Sequence, residues 1–192
     1  MSDVPVRLLG LCGSTRDGSL NRKLLRLAVR EAEALGAEVD VVDLRALGLP
    51  IYDGDLEASG FPPAATELKE RMGRAAGFLV ASPEYNYSIP GGLKNAIDWA
   101  SRPPRVPFAQ KIALLMGTSP SVFGSLRGQL HLRECLTLLN VWVMPQQVLV
   151  PMGHRSFSPE GELLQDERKK ELTRTVAQLV ELARTRTLPP MP

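Results

Sequence analysis

The sequence is poor in the residues that build cross-links and metal sites. Its 192 residues include only two cysteines, Cys12 and Cys135, and two histidines, His131 and His154. Two cysteines are too few for a disulfide framework, and they fit a reducing compartment such as the cytoplasm. None of the four has a second ligand at metal-binding spacing. We therefore predict no metal site, and we expect a cytoplasmic protein.

The chain also lacks an excess of either charge and any long apolar run. Its net charge is +2, from 23 basic and 21 acidic residues, so no strong field is available for nucleic acid or a membrane surface. No apolar run approaches the roughly 20 residues that span a bilayer, and residues 1–7 lack the charged-then-apolar layout of a signal peptide. We predict one domain over residues 1–192, with a mobile tail at residues 185–192.

Buried strands alternate with amphipathic helices along the chain. Stretches typical of strands lie at residues 6–12, 37–44, 77–82, 111–116 and 141–150. The second of them alternates charged and apolar residues, as a strand with one partly exposed face does. Helical periodicity follows the first strand as far as Gly36 and recurs at residues 64–75, 127–139 and 166–185. Residues 48–63 are predicted to be a long loop whose Tyr52, Asp53 and Asp55 line a pocket, lie at a subunit contact or face solvent. This alternation predicts a flavodoxin-like, doubly wound α/β fold: a five-stranded parallel sheet of order 2-1-3-4-5 with helices on both faces.

The loop after the first predicted strand has the composition of a phosphate site. Gly13 and Gly18 allow tight turns, and three residues offer hydroxyl groups: Ser14, Thr15 and Ser19. The helix that follows adds free N–H groups and the positive end of its dipole. Arg16 either adds a charge-assisted bond or faces solvent.

Other phosphate-binding patterns fit these residues less well. A nucleoside-triphosphate loop needs a lysine where Ser19 stands, and the dinucleotide pattern Gly-x-Gly-x-x-Gly is absent. Cys12 stands where small tyrosine phosphatases place a nucleophile, but the arginine expected six residues later is Gly18. A small buried strand residue is the favoured interpretation of Cys12.

The loops after the third and fourth strands meet the first loop at one sheet edge, because right-handed crossovers bring the carboxyl ends of parallel strands together. The loop after the third strand has a rigid turn, a carboxylate, a phenol and an amide: Pro83, Glu84, Tyr85 and Asn86. The loop after the fourth strand supplies Thr118 and Ser119. Their convergence predicts a ligand site at this edge.

The helix after this second loop is predicted from residue spacing. Ser88 is predicted as its N-cap and Pro90 falls in the first turn. Apolar residues at helical spacing are predicted to face the sheet: Leu93, Ala96, Ile97 and Ala100. Lys94 and Asp98 can pair on the other side. Trp99 lies off the apolar stripe, so it either packs within the subunit or joins a subunit interface.

Two segments carry a family resemblance. Residues 83–99 contain Pro-Glu-Tyr-Asn and then Ser-x-Pro-Gly-x-Leu-Lys-Asn-Ala-Ile-Asp-Trp, and residues 14–21 read Ser-x-Arg-x-x-Ser-x-Asn. Both resemble the NAD(P)H-dependent FMN reductase family, which includes quinone, chromate and azo reductases of flavodoxin-like fold.

The resemblance implies a cofactor, its contacts and an assembly. FMN is expected, with NADPH or NADH as electron donor. Its phosphate is expected at the first loop and its ring at the other two, so the cofactor-binding residues would be Ser14, Thr15, Arg16, Ser19, Leu20, Asn21, Pro83, Glu84, Tyr85, Asn86, Thr118 and Ser119. The family forms dimers or tetramers with flavin sites near the interface. A homodimer or homotetramer is therefore expected here.

Hydride transfer to a flavin needs no acid–base side chain, so we predict no catalytic residue. Glu84 is interpreted as fixing the shape of its loop or an interface. The resemblance implies a quinone, an azo compound, a metal oxyanion or a flavin as the electron acceptor. If the flavin ring lies on residues 83–86, donor and acceptor share its one open face, and we expect ping-pong kinetics. Three alternatives stay open: an electron carrier (disfavoured by the near-neutral charge), a phosphatase, and a scaffold with a vestigial site.

Overall fold

The computed structural model describes residues 5–185, and at their centre lies a five-stranded sheet with parallel neighbours throughout. The strands are β1 (Arg7–Cys12), β2 (Glu38–Val42), β3 (Gly77–Ala81), β4 (Ile112–Thr118) and β5 (Trp142–Val150). Their order across the sheet is β2-β1-β3-β4-β5. This confirms the predicted flavodoxin-like topology.

Helices connect the strands. In the described part of the chain they are α1 (Leu20–Ala34), α2 (Leu44–Leu47), α3 (Gly54–Ser59), α4 (Pro63–Arg74), α5 (Gly91–Ala100), α6 (Leu126–Leu138), α7 (Gly153–Ser156) and α8 (Asp166–Thr185). Helix α1 ends where predicted, because Gly36 just beyond it adopts the left-handed φ of 78° that favours glycine.

The central strands are buried on both faces, which explains why their sequences are apolar without alternation. Successive residues of β3 illustrate the division: Leu79 joins the core that contains α1 and α8, whereas Phe78 and Val80 join the core that contains α4, α5 and α6. Side chains of a strand point alternately to the two faces, so one apolar run supplies both cores.

The region from residue 43 to residue 63 differs from the prediction. Strand β2 ends at Val42, and helix α2 begins at Leu44, the last residue of the predicted strand. The segment predicted as a loop, residues 48–63, contains the short helix α3. Asp43 caps α2 by accepting from the N–H of Arg45 at 2.9 Å, and Asp53 caps α3 by accepting from the N–H of Asp55 at 2.7 Å. These caps stabilise helices of only 4 and 6 residues, too short for periodicity to reveal them.

Trp99 packs inside the subunit, which decides between its two predicted roles. Its side chain has no exposed area, and its indole N–H donates to the carbonyl of Pro50 at 2.8 Å. The rings of Tyr52 and Phe61 meet it edge-on, with centroids 5.0 and 5.4 Å away. Trp99 therefore anchors the α2–α4 connection to α5, and the interface role predicted as its alternative is wrong.

The start of α5 corrects another prediction. Pro90 occupies the N-cap position and no side chain caps the helix, so Ser88 is not its cap. The remaining expectations for α5 are confirmed: Leu93, Ala96, Ile97 and Ala100 are buried. The Lys94 ammonium lies 2.7 Å from the Asp98 carboxylate.

The predicted mobile tail falls outside the described residues, except for Thr185, which ends α8. Between residues 5 and 185 no helix has both the length and the apolar character needed to cross a bilayer.

Candidate active site at the carboxyl edge of the sheet

The three predicted loops start side by side, because β1, β3 and β4 are neighbours in the sheet. The N–H of Gly13 donates to the carbonyl of Ala81 at 2.9 Å, and the N–H of Ser82 donates to that of Met116 at 2.9 Å. The pairing thus continues one residue beyond the assigned ends of β1 and β3 and sets the three loops at one edge.

The first loop is shaped as an anion site. Ser19 caps α1, and its Oγ accepts from the N–H of Arg22 at 3.3 Å. The N–H groups of Leu20 and Asn21, in the first turn, have no acceptor within the helix. Ser14 and Ser19 are each 5 % exposed, so their hydroxyls stand at the floor of the loop.

The rim of this loop is open and includes the Arg16 guanidinium, while the neighbouring Asp17 carboxylate pairs with Arg45 at 3.0 Å. Thr15 and Arg16 are exposed, and within residues 5–185 Arg16 has no acidic partner. A side chain at Gly18 would meet no atom within 4 Å, so there is open space beside the backbone there. Backbone donors, two hydroxyls and a free guanidinium suit the terminal phosphate of FMN.

Asn21 ties the first loop to the third. Its Nδ2 donates to the carbonyl of Thr118 at 3.0 Å, and its Oδ1 accepts from the N–H of the same residue at 3.0 Å. Both residues are buried. Since both polar atoms of the Asn21 amide are engaged, its clearest task is to hold the end of β4 against the start of α1.

The third loop presents its two predicted residues differently. The Thr118 hydroxyl is buried and has no partner among the described residues, and a Cβ on Gly153 would lie 2.4 Å from it. The Ser119 hydroxyl is partly exposed and lies 2.9 Å from that of Ser121. Ser119 is therefore the more accessible of the two hydroxyls.

The second loop contains a tight two-residue turn. Tyr85 and Ser88 exchange both backbone hydrogen bonds, each 3.0 Å long. Asn86 and Tyr87 between them have φ of 48° and 67°. Positive φ at both central positions is the geometry of a type I′ turn, and it is costly for a bulky residue such as tyrosine. Such local strain persists only where the surroundings enforce it.

Glu84, next to this turn, caps a different helix and so ties the loop to it. Its Oε2 accepts from the N–H groups of Arg127 and Gly128 at 2.9 and 3.1 Å, in the first turn of α6, and its Oε1 lies 2.5 Å from the Arg127 guanidinium. Burial alone would raise the pKa of Glu84, but these hydrogen bonds and the positive charge of Arg127 outweigh it and lower the pKa. Glu84 is thus an ionised brace, consistent with its predicted loop-shaping role.

Two further contacts bind the second loop to α6. The guanidinium of Arg127 lies 3.6 Å from the ring centroid of Tyr87 and 5.0 Å from that of Phe123. Gly128 lets the loop approach closely, because a Cβ there would lie 2.9 Å from the carbonyl oxygen of Ser88. Local pattern could not reveal Arg127 and Gly128 as site residues, since they lie more than 40 positions from Glu84.

The aromatic groups of this turn remain available at the site. Tyr85 and Tyr87 are 47 % and 64 % exposed despite their place in a rigid loop. Fixed, exposed rings beside Asn86 can form one wall for a flat ring system, as FMN binding requires.

Cys12 does not serve as an exposed nucleophile. It is buried beneath the first loop, and burial raises the pKa of its thiol above the ordinary value. Because the thiolate is the reactive form, this geometry disfavours the phosphatase interpretation.

Comparison with known proteins agrees with this geometry. The model of the NADPH-dependent FMN reductase family matches residues 6–155. An NAD(P)H-dependent FMN reductase from Pseudomonas aeruginosa is 40 % identical over 183 residues, which cover 95 % of this chain and 96 % of the relative. An NAD(P)H:quinone oxidoreductase from Solanum tuberosum is 39 % identical over 184 residues, with 93 % of both chains covered.

A solved structure extends the likeness to three dimensions. The flavoenzyme NAD(P)H:(acceptor) oxidoreductase FerB from Paracoccus denitrificans superimposes with a TM-score of 0.82 at 31 % identity, covering 93 % of this chain and 97 % of that one. With the family model spanning the sheet, all three loops and most of the helices, this chain belongs to the NADPH-dependent FMN reductase family.

Proposed function

We propose that this protein is an FMN-dependent NAD(P)H:quinone oxidoreductase. One observation carries the proposal: an anion site at the start of α1 and a rigid aromatic turn at residues 85–88 lie at the same sheet edge. A ligand with a phosphate at one end and a flat ring system at the other could contact both. The names of the relatives from Pseudomonas and potato support the nucleotide donor and the quinone acceptor.

The chain's contribution is to bind and orient. Residues 14–21 would hold the FMN phosphate through backbone N–H groups, hydroxyls and the Arg16 guanidinium. Residues 83–86 would line the ring, and Thr118 and Ser119 would approach its pyrimidine side. When bound, FMN supplies the redox chemistry by taking a hydride from the nicotinamide and passing two electrons to the acceptor.

No side chain of the second loop needs to move a proton. Glu84 is ionised and committed to α6. A quinone that gains a hydride equivalent takes its second proton from solvent, which reaches the exposed Tyr85 and Tyr87. We therefore propose no catalytic side chain.

Donor and acceptor are proposed to take turns at one position. A ring that rests on residues 83–86 has one face covered by protein, so only its other face can stack against nicotinamide or quinone. NAD(P)⁺ must leave before the quinone enters. Initial rates measured over both NADPH and quinone concentrations should give parallel double-reciprocal lines.

Asn86→Lys tests the same geometry. A long cation at the ring wall should lower the rate of both half-reactions, measured separately by stopped flow, while FMN stays bound through the first loop. Intersecting double-reciprocal lines, or an isolable complex of donor and acceptor together, would contradict the shared position. Absence of any NADPH-dependent quinone reduction by the FMN-loaded protein would overturn the proposed function itself.

Assembly and compartment are proposed on other grounds. Val122 and Phe123 are 68 % and 51 % exposed near the second loop, and apolar side chains of this kind favour a contact between copies. We propose a homodimer or homotetramer, to be tested by light scattering during size-exclusion chromatography. Both cysteines are free thiols, which supports the cytoplasm as the compartment.

A further inference from the structure

A cavity of about 620 Å³ lies between α4 and the segment that follows α5. One wall is a stripe of α4 at helical spacing, and the other is a proline-rich segment at residues 103–107, with Phe61 between them. No residue predicted to bind FMN lines this cavity. Its volume is in the range of sites for small organic molecules.

The two walls are tied together at one end. The Lys69 ammonium, on α4, donates to the carbonyl oxygens of Arg102 and Pro103. The same ammonium lies 4.8 Å from the ring centroid of Phe61. Desolvation lowers the pKa of Lys69, as expected for an amine enclosed by these groups. The cavity is therefore preformed, and its lysine is already occupied by backbone acceptors.

The last turn of α4 is also fixed by hydrogen bonds, and the cavity extends beside it. Lys111 donates to the carbonyl oxygens of Gly73 at 3.1 Å and of Ala75, which fixes the last turn. A Cβ on Gly73 would meet no atom within 4 Å, although Gly73 lines the cavity. Glycine lowers helix stability by up to about 1 kcal/mol relative to alanine. The open space beside Gly73 is therefore part of the cavity, and only a side chain much larger than that of alanine would fill it.

The lining has an apolar body and a positive rim. Three cations, Lys69, Arg74 and Arg105, face one carboxylate, Glu70. Arg74 and Arg105 are exposed, and neither lies within ion-pair distance of a carboxylate among residues 5–185, although the charge of Arg74 contributes to the lowered pKa of Asp40. Four flat or branched apolar groups make up most of the remaining wall: Pro103, Pro104, Val106 and Pro107. A ligand complementary to this cavity in charge and shape would be a flat apolar molecule with one acidic group.

We propose that this cavity binds a small aromatic anion, with its ring between α4 and residues 103–107 and its acidic group at Arg74 and Arg105. Guanidinium groups bind carboxylate, sulfonate or phosphate oxygens through paired hydrogen bonds. The site is separate from the carboxyl edge of the sheet, so it stands independently of the oxidoreductase function.

The test uses naphthalene-1-sulfonate as the probe, titrated by calorimetry into the FMN-loaded protein. Saturable binding is expected, weakened at least fivefold by Arg74→Gln combined with Arg105→Gln. The affinity for the neutral probe 1-naphthalenemethanol should change less than twofold in the same variant. The matched control is Arg26→Gln with Arg174→Gln, which removes two exposed arginines that form no ion pair within the described part of the chain. They lie on α1 and α8, on the other face of the sheet, and this variant should bind the sulfonate as the parent does.

A second variant probes the space itself. Gly73→Trp should fill the cavity and weaken both probes more than tenfold, while Gly73→Ala should stay within twofold of the parent. Gly73 has no left-handed backbone, so both variants fit the helix. Retained FMN absorbance and circular dichroism verify folding.

Four results would overturn the proposal. The first is that the sulfonate does not bind saturably, and the second is that neither the two arginine substitutions nor Gly73→Trp changes its affinity. The third is that inorganic phosphate binds as tightly as the sulfonate, and the fourth is that Gly73→Trp dissociates an oligomer. The last would show that a second copy of the chain occupies this groove.

Discussion

Removal of the Glu84 carboxylate should loosen the second loop and the start of α6 together. In Glu84→Ala the N–H groups of Arg127 and Gly128 lose a charged acceptor at 2.9 and 3.1 Å, and the Arg127 guanidinium loses its partner. Loss of a helix cap costs about 0.5–2 kcal/mol, and a hydrogen bond to a charged group contributes about 1.5–3 kcal/mol. These contributions overlap, so we expect a loss of about 2 kcal/mol.

That free energy translates into a measurable melting shift. For a chain of this size each kcal/mol lowers Tm by about 2–4 °C, which predicts a fall of about 4–8 °C. Because the strained turn at residues 85–88 depends on the same brace, the variant should also bind riboflavin and FMN several-fold more weakly. Glu181→Ala, an exposed carboxylate on α8 with no ion pair among the described residues, is the matched control and should change Tm by less than 1 °C.

The lowered pKa of Glu84 adds a pH signature. A carboxylate with a lower pKa in the folded state stabilises the protein above its unfolded pKa, about 4.3, and the stabilisation is lost as pH falls through the folded value. The difference in unfolding free energy between the parent and Glu84→Gln should be constant from pH 5 to pH 8 and shrink below about pH 4. A Glu84→Ala melting point equal to that of Glu181→Ala, or a pH-independent difference, would refute the capping argument.

Three further predictions concern the other two loops and the backbone beneath them. Arg16→Ala combined with Ser19→Ala should lower the affinity for FMN at least tenfold and the affinity for riboflavin less than twofold in fluorescence titrations. Equal losses for both ligands would show that this loop does not bind the phosphate. Asn21→Asp should lower the free energy of unfolding in urea by about 1–3 kcal/mol, because the buried carbonyl of Thr118 loses its donor. It should also lower the affinity for riboflavin as well as for FMN, and an unchanged riboflavin affinity would contradict the role of Asn21 in holding the first and third loops together. Gly117→Ala places a Cβ 2.3 Å from a backbone oxygen and should lower Tm by several degrees or prevent folding, whereas Gly91→Ala meets no atom within 4 Å and should be neutral.

The amino-acid sequence by itself determined the architecture. The apolar runs of β1, β3 and β4 are long, unbroken and separated by helical periodicity, and only a parallel sheet covered on both faces buries them all. Topology then places the three loops at one edge, so residues 14–21, 83–86 and 118–119 could be grouped without coordinates.

The short helices could not be predicted from the sequence, for a physical reason. Helices α2 and α3 span 4 and 6 residues, less than two turns, and their stability comes from Asp43 and Asp53 as caps rather than from an apolar stripe. The predicted cap at Ser88 failed because the chain uses that residue in a tight turn with Tyr85, a pairing that depends on positive φ at two non-glycine positions.

Tertiary structure alone assigned the supporting roles. Asn21 engages Thr118 across 97 positions, Glu84 caps a helix more than 40 positions away, and Trp99 turns inward onto Pro50. Each contact depends on where two distant segments pack together, and residue type and spacing within one segment do not predict that packing. The sequence predicted which loops meet at the carboxyl edge of the sheet, and packing between distant segments decided which side chains hold them in place.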